Sequence, residues 1–132
     1  YGTVGFDALT WNLWAALVCG ATLAPIPSAL RGDLRAAWAW LGEAAIDAIY
    51  LPTPVVNALI GESLRAPRQG LMVWTGGDRL SAHPPADAGY AVYNHYGPTE
   101  TTVFVAQTQV PPGVHGVPPI GRPVACTQLH VV

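Results

Sequence analysis

The sequence predicts an α/β fold, a layered arrangement in which helices flank a mainly parallel sheet. Short apolar runs rich in β-branched and aromatic residues recur along the chain, each bounded by proline or glycine. Segments with apolar residues at helical spacing lie between them, and strands that alternate with helices form parallel sheets. With 132 residues, the chain has the length of one domain and can bury a core.

Composition excludes several functional classes. Charged residues make up 11% of the chain and hydrophobic residues 51%, against roughly 25% charged in soluble domains, so we expect a piece from the interior of a larger protein. The net charge of -2 provides no basic surface for nucleic acid. The longest apolar run, residues 13–24, is too short to span a bilayer, so no membrane is expected. Cys19 and Cys126 are expected to be buried and reduced, in a cytoplasmic protein.

The first predicted element is a helix over residues 9–18, with Asp7 as its N-cap and Gly20 as its stop. Residues 21–24 then predict a short strand, ended by the prolines that follow.

A second helix begins after Asp33, because apolar residues follow that cap at helical spacing. Residues 48–51 predict a buried strand, and Pro54 suits the first turn of a helix over residues 55–60.

The second half of the chain begins with a predicted strand at residues 71–74. The turn that follows, residues 75–78, has two glycines that permit close backbone contact with a flat ligand, although a plain strand-to-helix turn stays open. Residues 81–89 predict a connection without a long helix, and residues 111–123 predict a Pro/Gly-rich loop.

The most informative segment is residues 94–100, with the sequence Asn-His-Tyr-Gly-Pro-Thr-Glu, between predicted strands at residues 90–93 and 102–110. We expect a loop at a strand's carboxyl end, where open α/β sheets bind ligands. A ring can stack on a planar base, an amide can read its edge, and a hydroxyl can bond a phosphate. A carboxylate can hold Mg²⁺ beside that phosphate. The residues alone also allow a simple turn with a packed Tyr96.

Residues 94–100 resemble the adenine-binding motif Asn-x-Tyr-Gly-Pro-Thr-Glu of nonribosomal peptide synthetase adenylation domains, and every fixed position matches. Residues 6–8 with Trp11 resemble the segment whose aspartate binds the substrate α-ammonium, and residues 75–78 resemble the turn over the other face of adenine. Residues 120–123 also match. The resemblance implies that residues 1–132 are a partial AMP-binding domain, part of the large N-terminal subdomain of an adenylate-forming enzyme, without a second domain.

The resemblance implies an enzyme that forms an aminoacyl-adenylate from ATP and an amino acid, with Mg²⁺. The product passes to a phosphopantetheine thiol on a carrier domain of an assembly line that also contains condensation domains. In the implied nucleotide site, Tyr96 stacks on adenine, Asn94 meets its edge, Gly76 and Gly77 cover its other face, His95 and Gly97 complete the site, Thr99 contacts the α-phosphate, and Glu100 holds Mg²⁺.

The resemblance also places nine residues around the amino acid, with Asp7 on its ammonium group. They are Asp7, Ala8, Trp11, Tyr50, Trp74, Gly76, His95, Val103 and Phe104. Large aromatic rings and no charge besides Asp7 predict a neutral, small-to-medium, mainly aliphatic substrate of the leucine or valine kind. His95 could instead bond a polar side chain. Val103 and Phe104 are adjacent on a predicted strand, so both can face the pocket only through a local twist or bulge.

Two alternatives stay open. An acyl-CoA synthetase would adenylate a carboxylic acid without an amine, although Asp7 would then be an unpaired carboxylate. A non-catalytic nucleotide-binding or structural module is the other. The family's phosphate loop, ribose-binding aspartate and C-terminal lysine are not among these residues, so the isolated chain is expected to be catalytically inert.

Overall fold

The structure, a computed structural model, describes residues 5–130. Its centre is a five-stranded sheet with the strand order β1-β2-β3-β4-β5. The elements are α1 (Ala8–Val18), α2 (Leu34–Glu43), β1 (Ala48–Tyr50), α3 (Thr53–Gly61), β2 (Met72–Gly76), β3 (Ala91–Tyr96), β4 (Ala106–Val110) and β5 (Arg122–Pro123), with single 3₁₀ turns at Ser28–Leu30 and Thr99–Thr101. Residues 1–4 and 131–132 of the predicted domain lie outside the described residues.

The sheet is mixed. Strands β1, β2 and β3 are parallel, whereas β4 and β5 are antiparallel to their neighbours. A parallel pair needs a crossover connection, and α3 supplies the one between β1 and β2. The predicted α/β class with flanking helices is confirmed, and parallel pairing is confined to the first three strands. Their carboxyl ends, at Tyr50, Gly76 and Tyr96, therefore lie at one edge of the sheet.

The core lies where α2 and α3 pack against the sheet. Leu41 of α2, Leu59 of α3 and Val73 of β2 are almost completely buried in one cluster. The predicted cap of α2 is confirmed, because an Asp33 side-chain oxygen accepts a hydrogen bond from the Ala36 N–H at 2.9 Å. Pro54 lies in the first turn of α3, as predicted.

Two predictions for the exposed parts of the chain were wrong. Residues 21–24 pair with no strand within residues 5–130, and they are exposed. Cys19 and Cys126 are exposed rather than buried. Helix α1 explains the first cysteine, since Cys19 follows a helix that buries none of its residues against the described part of the chain. Within residues 5–130, no helix has the length and apolar character needed to cross a bilayer.

Candidate functional site

The first three motif residues belong to a strand, which corrects the prediction of a loop over residues 94–100. Strand β3 continues to Tyr96 and pairs on both sides, with Gly76 and Gln107 as the two neighbours of His95. The loop begins at Gly97, where a Cβ would collide with the Cα of Phe104. The motif therefore combines a rigid strand end with a turn that only glycine allows.

The segment after the motif begins as a strained turn, so the prediction of a strand over residues 102–110 was wrong for its first four residues. Thr102 and Val103 have φ angles of 63° and 71°, which β-branched residues rarely adopt. The Phe104 N–H donates to the Thr102 carbonyl at 3.0 Å, so Val103 is the centre of a γ-turn. Strand β4 begins only at Ala106. The turn provides the local twist that the sequence required of Val103 and Phe104.

A cleft of about 480 Å³, here called the motif cleft, opens beside the end of β3. Ligand pockets commonly have this size. Three segments form it: the turn after β2, the motif, and the loop before β5. The lining residues are Gly77, Asp78, Arg79, Leu80, Asn94, His95, Tyr96, Gly97, Pro98, Pro118 and Ile120. Five of the six residues predicted to surround a nucleotide thus share one cleft, and the sixth, Gly76, immediately precedes it.

Tyr96 and Asn94 differ in their availability to a ligand. Tyr96 is 47% exposed, so it is not the packed core aromatic that a simple turn would contain. Asn94 is buried, and its Nδ2 donates to the Pro119 carbonyl at 3.0 Å. That bond ties the loop before β5 to the strand, while the amide oxygen stays an acceptor for a ligand edge.

Four rings from separate parts of the chain form a second group, the aromatic cluster of Trp11, Trp74, His95 and Phe104. Trp11 meets the other rings edge-on, with centroid distances of 5.9 Å to Trp74, 6.3 Å to His95 and 5.2 Å to Phe104. These are contact distances for aromatic pairs. Four of the nine predicted substrate residues are therefore in contact around Trp11.

The structure places Asp7 beside Tyr50. The Asp7 side chain makes no capping hydrogen bond within the described residues, so a purely capping role is not supported. Burial raises the pKa of Tyr50, and the charge of Asp7 raises it further. The remaining predicted substrate residues lie nearby in the chain: Ala8 begins α1, Gly76 ends β2, and Val103 is half-buried in the γ-turn.

His95 is a neutral imidazole between the motif cleft and the aromatic cluster. Burial lowers its pKa to about 4, against the opposing effect of a hydrogen bond with the Gln107 side chain. Its Nδ1 and the Nε1 of Trp11 are buried and find no hydrogen-bond partner among residues 5–130. Buried polar atoms are normally paired, so both atoms can receive a polar group of a ligand.

Thr99 and Glu100 lie on the 3₁₀ turn that follows Pro98, and both are exposed. In the described part of the chain, no three His, Cys, Asp or Glu side chains could hold a metal ion together. An exposed carboxylate beside the cleft still fits Mg²⁺, which shares oxygen ligands among one or two carboxylates, water and substrate phosphates.

Two buried threonines at the cleft were not identified from the sequence. Thr53 Oγ1 donates to the Gly76 carbonyl at 2.9 Å, and Thr75 Oγ1 donates to Thr53 Oγ1 at 3.2 Å. The available signal was a threonine at each end of the β1-α3-β2 unit, one opening α3 and one directly before the glycine pair.

A family model described as AMP-binding enzyme matches residues 1–132. The chain belongs to the AMP-binding enzyme family. A linear gramicidin synthase of Brevibacillus parabrevis contains a polypeptide that is 35% identical to this AMP-binding chain over 96% of the chain. Nonribosomal peptide synthetase kk1B of Curvularia clavata is 35% identical over 98%. The chain spans only 2% and 1% of these relatives. The resemblance to nonribosomal peptide synthetases is thereby confirmed.

Solved structures agree on the fold of this AMP-binding chain. It resembles PA1221, a nonribosomal peptide synthetase protein containing adenylation and PCP domains, with a TM-score of 0.70 and 30% identity over 95% of the chain and 26% of that protein. The adenylation domain AlmE of Vibrio cholerae, in complex with glycyl-adenosine-5'-phosphate, has a TM-score of 0.75 at 22% identity, over 93% and 24%. The N-terminal subdomain of Klebsiella oxytoca NpsA has a TM-score of 0.68 at 19% identity, over 95% and 34%. The predicted subdomain fold is confirmed.

Proposed function

We propose that the parent protein is an ATP-dependent amino-acid-adenylating ligase of nonribosomal peptide synthesis, and that the motif cleft receives the adenine of ATP. One observation carries the proposal: the half-exposed ring of Tyr96, the amide of Asn94 and the backbone of Gly77 line the same cleft. Together they provide a stacking surface, an edge acceptor and a close backbone approach for a planar base.

In the proposed reaction, a carboxylate oxygen of the amino acid attacks the α-phosphorus of ATP. The bond between that phosphorus and the bridging oxygen breaks, and pyrophosphate leaves. A phosphopantetheine thiolate then attacks the acyl carbon of the adenylate, and AMP leaves. Phosphoryl transfer depends on alignment and charge stabilisation. Thr99 bonds the α-phosphate, and Glu100 holds a Mg²⁺ ion that neutralises phosphate charge.

We propose a neutral amino acid as the substrate. Asp7 binds its α-ammonium group through charge-assisted hydrogen bonds, and the side chain meets the aromatic cluster. The apolar rings favour a small-to-medium aliphatic side chain of the leucine or valine kind. A second candidate is a neutral polar side chain, favoured by the buried Nδ1 of His95 and Nε1 of Trp11, which have no partner among the described residues.

The proposal extends to the setting of the parent protein. A carrier domain accepts the acyl group and a condensation domain uses it, as the synthetase relatives suggest. A cytoplasmic location follows from the need for ATP and a phosphopantetheine carrier. An acyl-CoA synthetase is the alternative in the same superfamily, and a non-catalytic nucleotide-binding module is the alternative from another class.

Amino-acid-dependent ATP–pyrophosphate exchange by the full adenylation domain that contains this chain tests the proposal. Each amino acid is paired with the matching carboxylic acid that lacks the amine. Exchange that requires the amine, and that weakens in an Asp7→Asn variant of the same shape, supports the proposal. Exchange with carboxylic acids alone would favour the acyl-CoA synthetase, and no exchange with any acid would favour a non-catalytic module.

A further inference from the structure

One wall of the motif cleft is a turn outside the regular secondary structure. Residues 77–80 follow β2 and contribute four of the lining residues. Gly77 has a φ angle of 89°, and Asp78 and Arg79 are exposed. Such a turn has many accessible backbone conformations unless other groups restrain it.

Helix α3 supplies those restraints through two side chains. Thr53 donates to the Gly76 carbonyl at 2.9 Å, at the start of the turn. Asn57 Nδ2 donates to the Arg79 carbonyl at 3.1 Å, and its Oδ1 accepts from the N–H and the hydroxyl of Ser81 at 3.0 and 2.9 Å. Thr53 and Asn57 are four residues apart, so they share one face of the helix.

We propose that Thr53 and Asn57 are positioning residues for nucleotide recognition, which hold the Gly77 wall at the distance from Tyr96 that a flat base requires. The inference rests on the proposed function. Neither side chain is among those lining the cleft; each acts through the backbone of the turn. A restrained wall removes ordering that the ligand would otherwise have to impose on binding.

A purely structural role predicts a different result. Leu80 of the turn is 2% exposed and packs in the core with Val56 and Leu59. Those apolar contacts persist when the polar contacts of Asn57 are removed, so the segment stays attached to the protein. Loss of the hydrogen bonds should loosen Gly77 and Asp78 and weaken ATP binding, and leave the amino-acid site unchanged.

The test is steady-state exchange kinetics of the full adenylation domain with Asn57→Ala, Asn57→Asp, Thr53→Val and Thr53→Ser. We expect Asn57→Ala and Thr53→Val to raise the KM for ATP by about threefold to tenfold, the effect of one or two lost hydrogen bonds. The KM for the amino acid and kcat at saturation should stay unchanged. Thr53→Ser keeps the hydroxyl and should restore the parental KM. Asn57→Asp keeps the acceptor for Ser81 but loses the donor to Arg79, so its effect should be intermediate.

Ala58→Gln, on the exposed side of the same helix, is the matched control and should keep the parental KM for ATP. Equal KM values for ATP in all variants, from a parent that binds ATP, would overturn this inference alone. Equal losses in ATP affinity, amino-acid affinity and kcat would assign the two residues a purely structural role and would also overturn it. A parent that binds no ATP would overturn the proposed function together with the inference.

Discussion

His95 lies flat against Phe104, with ring centroids 4.2 Å apart and ring planes 10° apart. The contact joins β3 to the γ-turn at Val103, because that turn directs Phe104 back toward the strand end. The same packing helps to withdraw the imidazole from water, which disfavours its charged form and lowers its pKa to about 4.

The stability of the full domain should therefore depend on pH through His95. The folded pKa of about 4 lies below the ordinary histidine value of 6.5. Above about pH 6.5 neither state binds this proton, and the contribution to stability is complete. As the pH falls toward 4 the unfolded chain binds a proton that the folded chain rejects, so stability is lost. Melting temperatures at pH 7.5, 6 and 5 should fall more steeply for the parent than for His95→Asn, and equal slopes would contradict the assignment.

Removal of the Tyr96 ring should weaken ATP binding. Base stacking on an aromatic side chain contributes about 1 to 3 kcal/mol, and we expect a loss of that size for Tyr96→Ala in the full domain, measured by calorimetry. Tyr96→Phe keeps the ring and serves as the control. If ATP affinity survived in Tyr96→Ala, the adenine assignment of the motif cleft would be wrong.

Glu100→Gln should depress Mg²⁺-dependent exchange more than amino-acid binding, because the amide is a weaker Mg²⁺ ligand than the carboxylate it replaces. The measurement is the exchange rate across a Mg²⁺ titration, beside direct amino-acid binding. Glu43, an exposed carboxylate at the end of α2, provides the matched control Glu43→Gln. A parental rate at saturating Mg²⁺ would remove the metal role from Glu100.

Trp74→Ala should widen the substrate range of the full domain. Its ring contacts Trp11 at a centroid distance of 5.9 Å, so truncation opens space on one side of the aromatic cluster. Exchange assays across the amino acids should show activity with larger neutral side chains. A variant that accepts no larger substrate would disprove this placement, and a parental preference for a charged or large aromatic amino acid would refute the neutral-substrate proposal.

Tyr90→Phe should leave the full domain as stable as before or stabilise it, by up to about 1 kcal/mol. The Tyr90 hydroxyl is buried without a hydrogen-bond partner in the described part of the chain, and burial raises its pKa to about 12. The ring itself packs edge-on against Trp38 at 5.2 Å and is kept in the variant. Thermal or urea unfolding measures the change. A clear loss of stability would mean that the hydroxyl is paired in the full domain.

Local chemistry made several elements predictable from the sequence. Asp33 at the start of α2 and Pro54 in the first turn of α3 satisfy or remove backbone donors within a few residues of themselves. Such interactions need no distant partner. The short strand predicted at residues 21–24 failed for the opposite reason, since β propensity forms a strand only where a neighbouring strand accepts its hydrogen bonds.

The candidate site divides along the same line. The sequence by itself determined that a glycine-proline turn with an aromatic ring, an amide and a carboxylate follows a strand, because those properties belong to adjacent residues. Only the tertiary structure decided that Tyr96 is half-exposed, that Val103 is the centre of a γ-turn, and that Thr53 and Asn57 restrain the opposite wall. These features depend on contacts between segments far apart in the chain, and neither composition nor periodicity specifies which distant groups will meet.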